Sequence, residues 1–325
     1  MYKLILMPTL SNLQKGWAIE LDNKLPGYKV VTANDDIEAM NEIADADAAF
    51  GYVPNKLLKR ATKLRWIQAH HAAPPPGFYY DELTQSSVTV TNFRGVYNDH
   101  ISAHIMMYVL GLSRGITGYL GAQKQRSYNV DANDQPFVFL PDSTAIIFGM
   151  GGIGTETSKH CKSFEMNVIG IDPRLPKAPE TVDQLVRPNE YQQVIEKGDF
   201  VIVTMPLTPE NEFFFNSEVF SMMKPSAYFI NIGRGKTTNL NDLVSAIKSG
   251  EIAGAGLDVY DTEPLPKDHE LWSLPNVILT PHVAAKEDVT GGDVNERKFK
   301  VLLENAQRFE QGEQLLNIVD KNLWY

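Results

Sequence analysis

A glycine-rich turn in the middle of the chain constrains the fold more than any other feature. The apolar run at 143–148 is followed by the segment 149–154, which reads G-x-G-G-x-G, and then by a helical pattern. In such a strand–turn–helix unit, the glycines allow a tight turn, a close approach to a pyrophosphate and close helix packing. Free N–H groups at the helix N-terminus then face the phosphates. The pattern predicts a dinucleotide site formed by Gly149, Gly151, Gly152, Ile153 and Gly154.

An acidic residue follows at the place where such a site binds ribose. Asp172 comes directly after the next predicted strand, 168–171, eighteen residues beyond Gly154. A carboxylate there accepts hydrogen bonds from ribose hydroxyls and repels a 2′-phosphate, which favours NAD over NADP. Arg174 lies two residues away and would weaken that preference. We therefore expect NAD as the cofactor, with NADP as the alternative.

Short apolar runs alternate with helical patterns along the chain, which is typical of parallel α/β sheets with helices on their faces. A chain of 325 residues is long enough for two such domains. The helical pattern at 288–312 is long enough to lead back to the first domain. We predict a two-lobed α/β chain of doubly wound parallel sheets. A Rossmann NAD-binding domain, 99–286, is inserted into a flavodoxin-like substrate domain, 1–98 plus 287–325. Strands are predicted at 4–7, 28–31, 48–50, 66–68, 88–91, 144–148, 168–171, 200–204, 228–232, 256–259 and 277–280.

Composition excludes several classes of protein. The formal net charge is −10 and no long run of Lys or Arg occurs, so the chain lacks the positive surface that binds nucleic acid. Cys161 is the only cysteine, which excludes an intrachain disulfide and a cysteine-rich metal site. No apolar stretch approaches the roughly 18 residues of a membrane span. The N-terminal run 2–7 is interpreted as a strand rather than a leader. We expect a cytoplasmic protein without metal, membrane or nucleic-acid partners.

Three further segments follow predicted strands, at the sheet edge where open α/β folds bind ligands. They are 231–235, with Arg234; 256–266, with Glu263 before a proline; and 279–282, which ends in His282. With the glycine motif, these segments resemble the D-isomer-specific 2-hydroxyacid dehydrogenase family, which includes glyoxylate and hydroxypyruvate reductases. The resemblance covers nearly the whole chain. It also takes in 206–208, 223–224 and 317–321.

The resemblance implies hydride transfer between a nicotinamide and C2 of a small 2-keto or 2-hydroxy acid, and the three residues suit that chemistry. The carbonyl oxygen must gain a proton in reduction, and a histidine such as His282 titrates near neutral pH. Glu263, bonded to the far ring nitrogen, would orient the imidazole and favour its protonated form. Arg234 offers a charged planar fork for the substrate carboxylate. The nicotinamide carries out the redox step.

Further roles follow from the resemblance alone. Asp258 would bind the nicotinamide carboxamide, Thr204 and Pro206 would line the adenosine, and Ile232 would contact the cofactor. The family also implies specificity for the D isomer. It further implies a homodimer formed through the NAD-binding domain.

One loop departs from the family pattern. Relatives have Ala-Gly-Val-Asp where backbone N–H groups hold the substrate carboxylate, whereas this chain has two histidines, two alanines and three prolines at 70–76. Proline has no N–H, so the contact must differ. Either the histidines supply donors for a larger or more anionic acid, or they face solvent on a rigid loop. We predict substrate contacts from His70, His71, Ala72, Ala73, Tyr97 and Arg234.

Several alternatives stay open at this point. A lysine at 286, after the histidine, either faces the substrate or is an ordinary exposed side chain. Formate dehydrogenases share the architecture but carry glutamine in place of Glu263. An NAD-sensing, corepressor-like scaffold is the main alternative to an enzyme, because a fold does not determine a function.

Overall fold

Two units share the chain in this computed structural model, which describes residues 1–72, 77–133, 135–286 and 294–322. Contacts divide the chain into Met1–Val96 with Glu287–Tyr325, and Tyr97–Lys286. The second unit begins two residues before the predicted domain start and ends at the predicted residue.

The first unit is built on a five-stranded parallel sheet in the order β2-β1-β3-β4-β5. Its central strand, β3, is buried from Ala48 to Phe50, and the neighbouring β1 is buried from Leu4 to Leu6, as expected when helices cover both faces of a sheet. The strands are β1 (Tyr2–Leu6), β2 (Tyr28–Thr32), β3 (Ala48–Phe50), β4 (Trp66–Gln68) and β5 (Thr89–Thr91). The helices are α1 (Asn12–Lys24), α2 (Asp36–Glu42), α3 (Asn55–Leu58), α4 (Asp81–Gln85) and, at the end of the chain, α10 (Val294–Gln311).

The chain returns to this sheet through a buried polar side chain on α10. Asn305 donates from Nδ2 to Oε1 of Gln68 at 3.1 Å and accepts the N–H of Leu316 at 2.7 Å. The tail then reaches β5, where the N–H of Val319 donates to the carbonyl of Val90 at 2.9 Å. These bonds explain why the chain's two ends fold into one unit.

The second unit contains a seven-stranded parallel sheet in the order β12-β11-β10-β9-β6-β7-β8. The strand order reverses at β6, so a crevice opens at the carboxyl ends of β6 and β9, where such sheets bind ligands. The strands are β6 (Thr144–Phe148), β7 (Asn167–Ile171), β8 (Gln184–Val186), β9 (Phe200–Val203), β10 (Tyr228–Asn231), β11 (Gly254–Leu257) and β12 (Val277–Leu279). The helices are α5 (Asn98–Ser113), α6 (Ile116–Lys124), α7 (Gly152–Ser163), α8 (Ser217–Ser221) and α9 (Leu240–Ser249).

These two parallel sheets with flanking helices confirm the predicted fold class. One strand, β8, was missed because it is a three-residue edge strand that begins with a polar side chain. Another, β11, starts two residues before the predicted 256–259, at a glycine-rich stretch with weak strand propensity. Predicted helix 288–312 is described from Val294, because 287–293 lie outside the described residues.

Helix α5 packs closely against β11, and a glycine makes this possible. A Cβ atom at Gly256 would lie 2.6 Å from Cγ of Tyr108, so only glycine leaves room for the ring. Ile105 and Val109 on the same helix are fully buried. The packing brings one face of α5 to the sheet edge that carries the candidate site.

Candidate active site

The glycine turn joins β6 to α7 at the carboxyl edge of the sheet. Gly149 has a φ of +99°, in the region that favours glycine. A Cβ at Gly154 would lie 2.0 Å from the carbonyl oxygen of Gly149. Open space lies above Gly151, where an added Cβ would meet no described atom within 4 Å. This cradle at a helix N-terminus fits the pyrophosphate of a dinucleotide.

Asp172 is held at the carboxyl end of β7 by backbone donors. Its carboxylate accepts the N–H groups of Met150 at 2.9 Å, Arg174 at 2.8 Å and Leu175 at 3.2 Å, and the residue is 3% exposed. One of these donors belongs to the glycine turn, so the carboxylate and the phosphate cradle are fixed to each other. Arg187 donates from Nη1 to the Asp172 carbonyl at 3.1 Å, which adds a second arginine to this neighbourhood.

The other predicted cofactor residues lie after β9 and β10. Thr204 donates its hydroxyl to the Gly149 carbonyl at 2.6 Å and thereby supports the glycine turn. Pro206 is exposed, and its carbonyl accepts from Asn211 at 2.8 Å. Ile232 is 7% exposed and its side chain packs in the core, so its backbone is the part available for a ligand.

Arg234 follows β10 and is partly buried. Its Nη1 donates to the Gly233 carbonyl at 2.6 Å. Burial lowers the pKa of Arg234 and the charge of Glu263 opposes that shift, but a guanidinium stays charged at any physiological pH. The next residue must be glycine, because a Cβ at Gly235 would lie 1.8 Å from the Tyr260 carbonyl oxygen.

Glu263 and His282 form a hydrogen-bonded pair beside Arg234. Oε2 of Glu263 lies 2.8 Å from Nδ1 of His282, and Oε1 accepts the N–H of Tyr260 at 3.0 Å. The histidine side chain is about half exposed. With Nδ1 engaged by the carboxylate, Nε2 is the nitrogen available to a substrate.

The backbone of His282 adopts an unusual conformation. Its φ is +54°, a left-handed value that costs a non-glycine residue about 1–3 kcal/mol and persists only when its surroundings fix it. Such outliers cluster at functional sites. Nothing in the sequence around 279–282 predicted this conformation.

Asp258 fixes the segments on both sides of His282. The buried carboxylate accepts the hydroxyl of Thr280 at 2.5 Å, and the N–H groups of Val283 and Ala284 at 2.9 Å each. The sequence placed Asp258 at the cofactor by resemblance alone. The segment 279–282 was recognised from the sequence, but no role for Thr280 could be predicted from it.

An apolar cavity of about 600 Å³ adjoins the Glu263–His282 pair. Leu265, Leu279 and Trp272 form part of its wall. Its lining offers little to a carboxylate, which makes Arg234 the better anchor for an anionic substrate.

The predicted substrate residues fall in different places. His70 follows β4 and packs edge-on against Phe50, with ring centroids 4.5 Å apart, and its Nε2 is buried without a hydrogen-bond partner among the described residues. Burial, assisted by the charges of His71 and Lys298, lowers the pKa of His70 to about 4. The Ala72 carbonyl accepts from Asn92 at 2.8 Å. Ala73 lies outside the described residues, and Tyr97 belongs to the second unit at the start of α5.

The described ranges contain neither a candidate metal site nor a candidate membrane span. No group of three or more His, Cys, Asp or Glu side chains there could hold a metal ion. No helix in that part of the chain is long and apolar enough to cross a bilayer.

Residues 106–284, more than half of the chain, match the family model described as "D-isomer specific 2-hydroxyacid dehydrogenase, NAD binding domain". The chain belongs to the D-isomer-specific 2-hydroxyacid dehydrogenase family. The resemblance drawn from the sequence is thereby confirmed, and with it an oxidoreductase that carries the family's NAD-binding domain.

Individual relatives cover most of the chain. A Corynebacterium melassecola protein, described as an uncharacterized protein in the proB 3′ region, is 36% identical over 87% of this chain and 91% of its own. Glyoxylate reductase of Pyrococcus furiosus is 28% identical over 94% of this chain and 88% of its own. The solved NADPH-dependent glyoxylate/hydroxypyruvate reductase of Sinorhizobium meliloti, in complex with NADP and sulfate, is 25% identical, covers both chains fully and has a TM-score of 0.80.

Proposed function

We propose that this chain reduces a small 2-keto acid at C2 to the D-2-hydroxy acid, and catalyses the reverse oxidation, with His282 as general acid and base. The observation that carries the proposal is the 2.8 Å contact between Glu263 and His282. The pair stands at the same sheet edge as the glycine turn that fits a dinucleotide. A proton donor and a cofactor cradle on one edge are what the reaction requires.

Each residue of the pair has one task in this mechanism. In reduction, Nε2 of His282 gives its proton to the carbonyl oxygen of the acid, and in oxidation Nε2 takes the proton back from the hydroxyl. Glu263 keeps a proton on Nδ1, fixes the ring orientation and stabilises the imidazolium. Arg234 holds the substrate carboxylate and polarises the carbonyl. When bound, the nicotinamide supplies or accepts the hydride.

The cofactor of the proposed enzyme is NAD, with NADP as the alternative. Asp172 supports NAD because a carboxylate at this position repels a 2′-phosphate. Arg174 and Arg187 favour NADP, as does the NADP in the solved Sinorhizobium meliloti relative. The remaining cofactor contacts proposed are those of Gly149, Gly151, Gly152, Ile153, Gly154, Thr204, Pro206, Ile232 and Asp258.

The proposed substrates are glyoxylate and hydroxypyruvate, the acids that name two of the relatives, and D specificity applies to the second, because the product of glyoxylate is achiral. The proposed contacts beyond Arg234 are Tyr97 and the residues of the loop after β4. His70 would act there as a neutral group, because its pKa lies near 4. The loop residues proposed are His70, His71, Ala72 and Ala73.

We also propose a cytoplasmic homodimer formed through the NAD-binding unit. Apolar side chains on α5 and α6 support this, since Met107, Leu110, Ile116 and Leu120 are each about 40–50% exposed. Sedimentation of the purified chain tests it. A monomer at micromolar concentration would contradict it.

A screen of 2-keto acids with NADH and NADPH, followed by the absorbance of the reduced nicotinamide, tests the proposed reaction. We expect glyoxylate or hydroxypyruvate to be reduced and the His282→Asn variant to be inactive. Calorimetric titration with NAD provides the control that the site is intact. If NAD binds and no keto acid is reduced, the scaffold alternative replaces the enzyme.

A further inference from the structure

Two side chains of α5, one helical turn apart, meet at the hydroxyl of Thr280. Nε2 of His104 lies 3.0 Å from Oγ1 of Thr280, and the Tyr108 hydroxyl lies 2.5 Å from the same atom. The two side chains also approach each other, with 3.3 Å between the ring nitrogen and the phenol oxygen. Neither side chain belongs to the site predicted from the sequence.

The hydrogen bonds of this cluster have a fixed direction. Asp258 can only accept, so the single hydroxyl proton of Thr280 is donated to its carboxylate. The Thr280 oxygen must then accept from Tyr108 and His104. Burial raises the pKa of Tyr108, and the charge of Asp258 raises it further. Burial lowers the pKa of His104 against the opposing charge of Asp258, so both donors are neutral at neutral pH. The donors therefore form a chain that ends on the Asp258 carboxylate.

The same carboxylate fixes the loop that carries His282. Thr280 stands two residues before the histidine, and the N–H groups of Val283 and Ala284, directly after it, also bind Asp258. His282 itself has the left-handed φ of +54°. The surroundings that fix this conformation are thus anchored to α5.

We propose that His104 and Tyr108 are positioning residues for the proton donor. Through Thr280 and Asp258 they hold residues 280–284 in the conformation that brings Nδ1 of His282 to Glu263. The inference rests on the proposed function of His282. It adds that the geometry of the donor depends on a helix outside the loops that carry Arg234, Glu263 and His282.

Hydrogen exchange tests this without any turnover. In the double variant His104→Leu/Tyr108→Phe, we expect the Val283 and Ala284 amides to exchange about tenfold faster, as for the loss of about one net hydrogen bond. The Ile230 amide in β10 should keep its protection. Exchange is followed by NMR on the protein without cofactor. Should the double variant not fold, Tyr108→Phe alone, which removes one oxygen and adds nothing, gives the same reading at smaller amplitude.

Kinetics provide the second readout. We expect kcat for keto-acid reduction to fall about tenfold in the double variant, because a misplaced proton donor affects the chemical step. The KM for the keto acid should change less than kcat, because Arg234, the proposed anchor of its carboxylate, is not a member of the cluster. The single variant His104→Gln keeps an N–H donor of similar reach, so its kcat should stay near the wild-type value. Tyr228→Phe, which removes a hydroxyl from a buried tyrosine away from the cluster, is the matched control.

The outcomes separate the two proposals. If the amides of Val283 and Ala284 exchange as in the wild type in every variant, the positioning role is wrong. Faster exchange at Ile230 to the same degree would mean that the cluster only stabilises the unit, which also contradicts the role. An inactive wild-type protein refutes the proposed function, whereas the exchange result does not depend on activity.

Discussion

Nδ1 of His282 lies 2.8 Å from Oε2 of Glu263, and the second carboxylate oxygen is held by the N–H of Tyr260. Both oxygens of the glutamate are therefore directed, one to the backbone and one to the ring. The imidazole cannot rotate freely while both bonds persist. This restraint gives the pair its expected sensitivity to substitution.

Replacing Glu263 with glutamine keeps the shape of the side chain and removes its charge. We expect kcat for keto-acid reduction to fall about 100-fold. The imidazolium loses its charged partner, and the neutral ring is no longer held in the tautomer with a proton on Nδ1. Steady-state kinetics with saturating cofactor measure the loss. Glu270→Gln, at an exposed ion pair with Lys248 in the same unit, is the control. A variant with wild-type kcat would remove Glu263 from the mechanism.

Substitutions at two glycines are expected to distinguish an effect on cofactor binding from an effect on folding. Gly151→Ala places a methyl group in open space, so the melting temperature should stay unchanged while the Kd for NAD rises at least about tenfold through a clash with the pyrophosphate. Gly121→Ala, an equally open position inside α6, should leave the Kd unchanged and raise the melting temperature slightly, because alanine has the higher helix propensity. Calorimetric titration and thermal denaturation give the two values. Equal Kd values for Gly151→Ala and the wild type would place the pyrophosphate elsewhere.

The charge of Asp172 is expected to decide between the two cofactors. Asp172→Asn removes the repulsion of a 2′-phosphate and leaves Arg174 and Arg187 nearby, so the ratio of kcat/KM for NADPH to that for NADH should rise about tenfold or more. Asp183→Asn is a matched control. Its carboxylate also accepts a backbone N–H, from Val168, but at the opposite end of β7. A ratio that rises equally in both variants would indicate a general effect on the strand.

The planar fork of Arg234 is expected to matter beyond its charge. Arg234→Lys keeps a cation but loses the bidentate geometry, so kcat/KM for the keto acid should fall about 100-fold, as expected when a substrate is misplaced. The Kd for NAD should stay the same. Arg308→Lys, in a surface pair with Glu304, controls for the exchange itself. An unaltered kcat/KM would show that any cation suffices.

The buried imidazole of His70 makes stability depend on pH. Its pKa of about 4 in the folded chain lies below the ordinary 6.5, so protonation favours the unfolded state. The stabilisation is complete above about pH 6.5 and is lost as the pH falls to about 4, at a cost of about 3 kcal/mol. The glutamine in His70→Gln does not titrate, so the free energy of unfolding of this variant should fall by about 3 kcal/mol less than that of the wild type over this pH range. Urea denaturation at several pH values compares the two proteins, and parallel curves would contradict the assignment.

The sequence predicted the fold class and located eleven of the twelve strands in the described part of the chain to within two residues at each end, because buried parallel strands appear as continuous apolar runs. Arg234, Glu263 and His282 could be picked out for the same reason, since each follows such a run. Edge strand β8 could not be found, because three residues with a polar first member carry too little pattern. That the substrate is bound by the first unit stays a prediction.

The contacts of α5 were beyond the reach of the sequence. His104 and Tyr108 lie more than 170 residues from Thr280, and the packing of α5 on the sheet, with the Tyr108 ring over Gly256, brings them together. The left-handed φ of His282 was equally hidden, because the flanking residues are bonded to Asp258, which lies more than 20 positions earlier in the chain. Long-range polar contacts of this kind leave no periodic trace in a single sequence.

The position of Asp258 limits how this protein can change. The same carboxylate is proposed to contact the nicotinamide carboxamide and is bonded to both flanks of His282, so a mutation cannot adjust cofactor recognition there without disturbing proton transfer. Directed evolution toward nicotinamide analogues should therefore fail at this codon. It should succeed sooner at neighbouring positions that serve a single task.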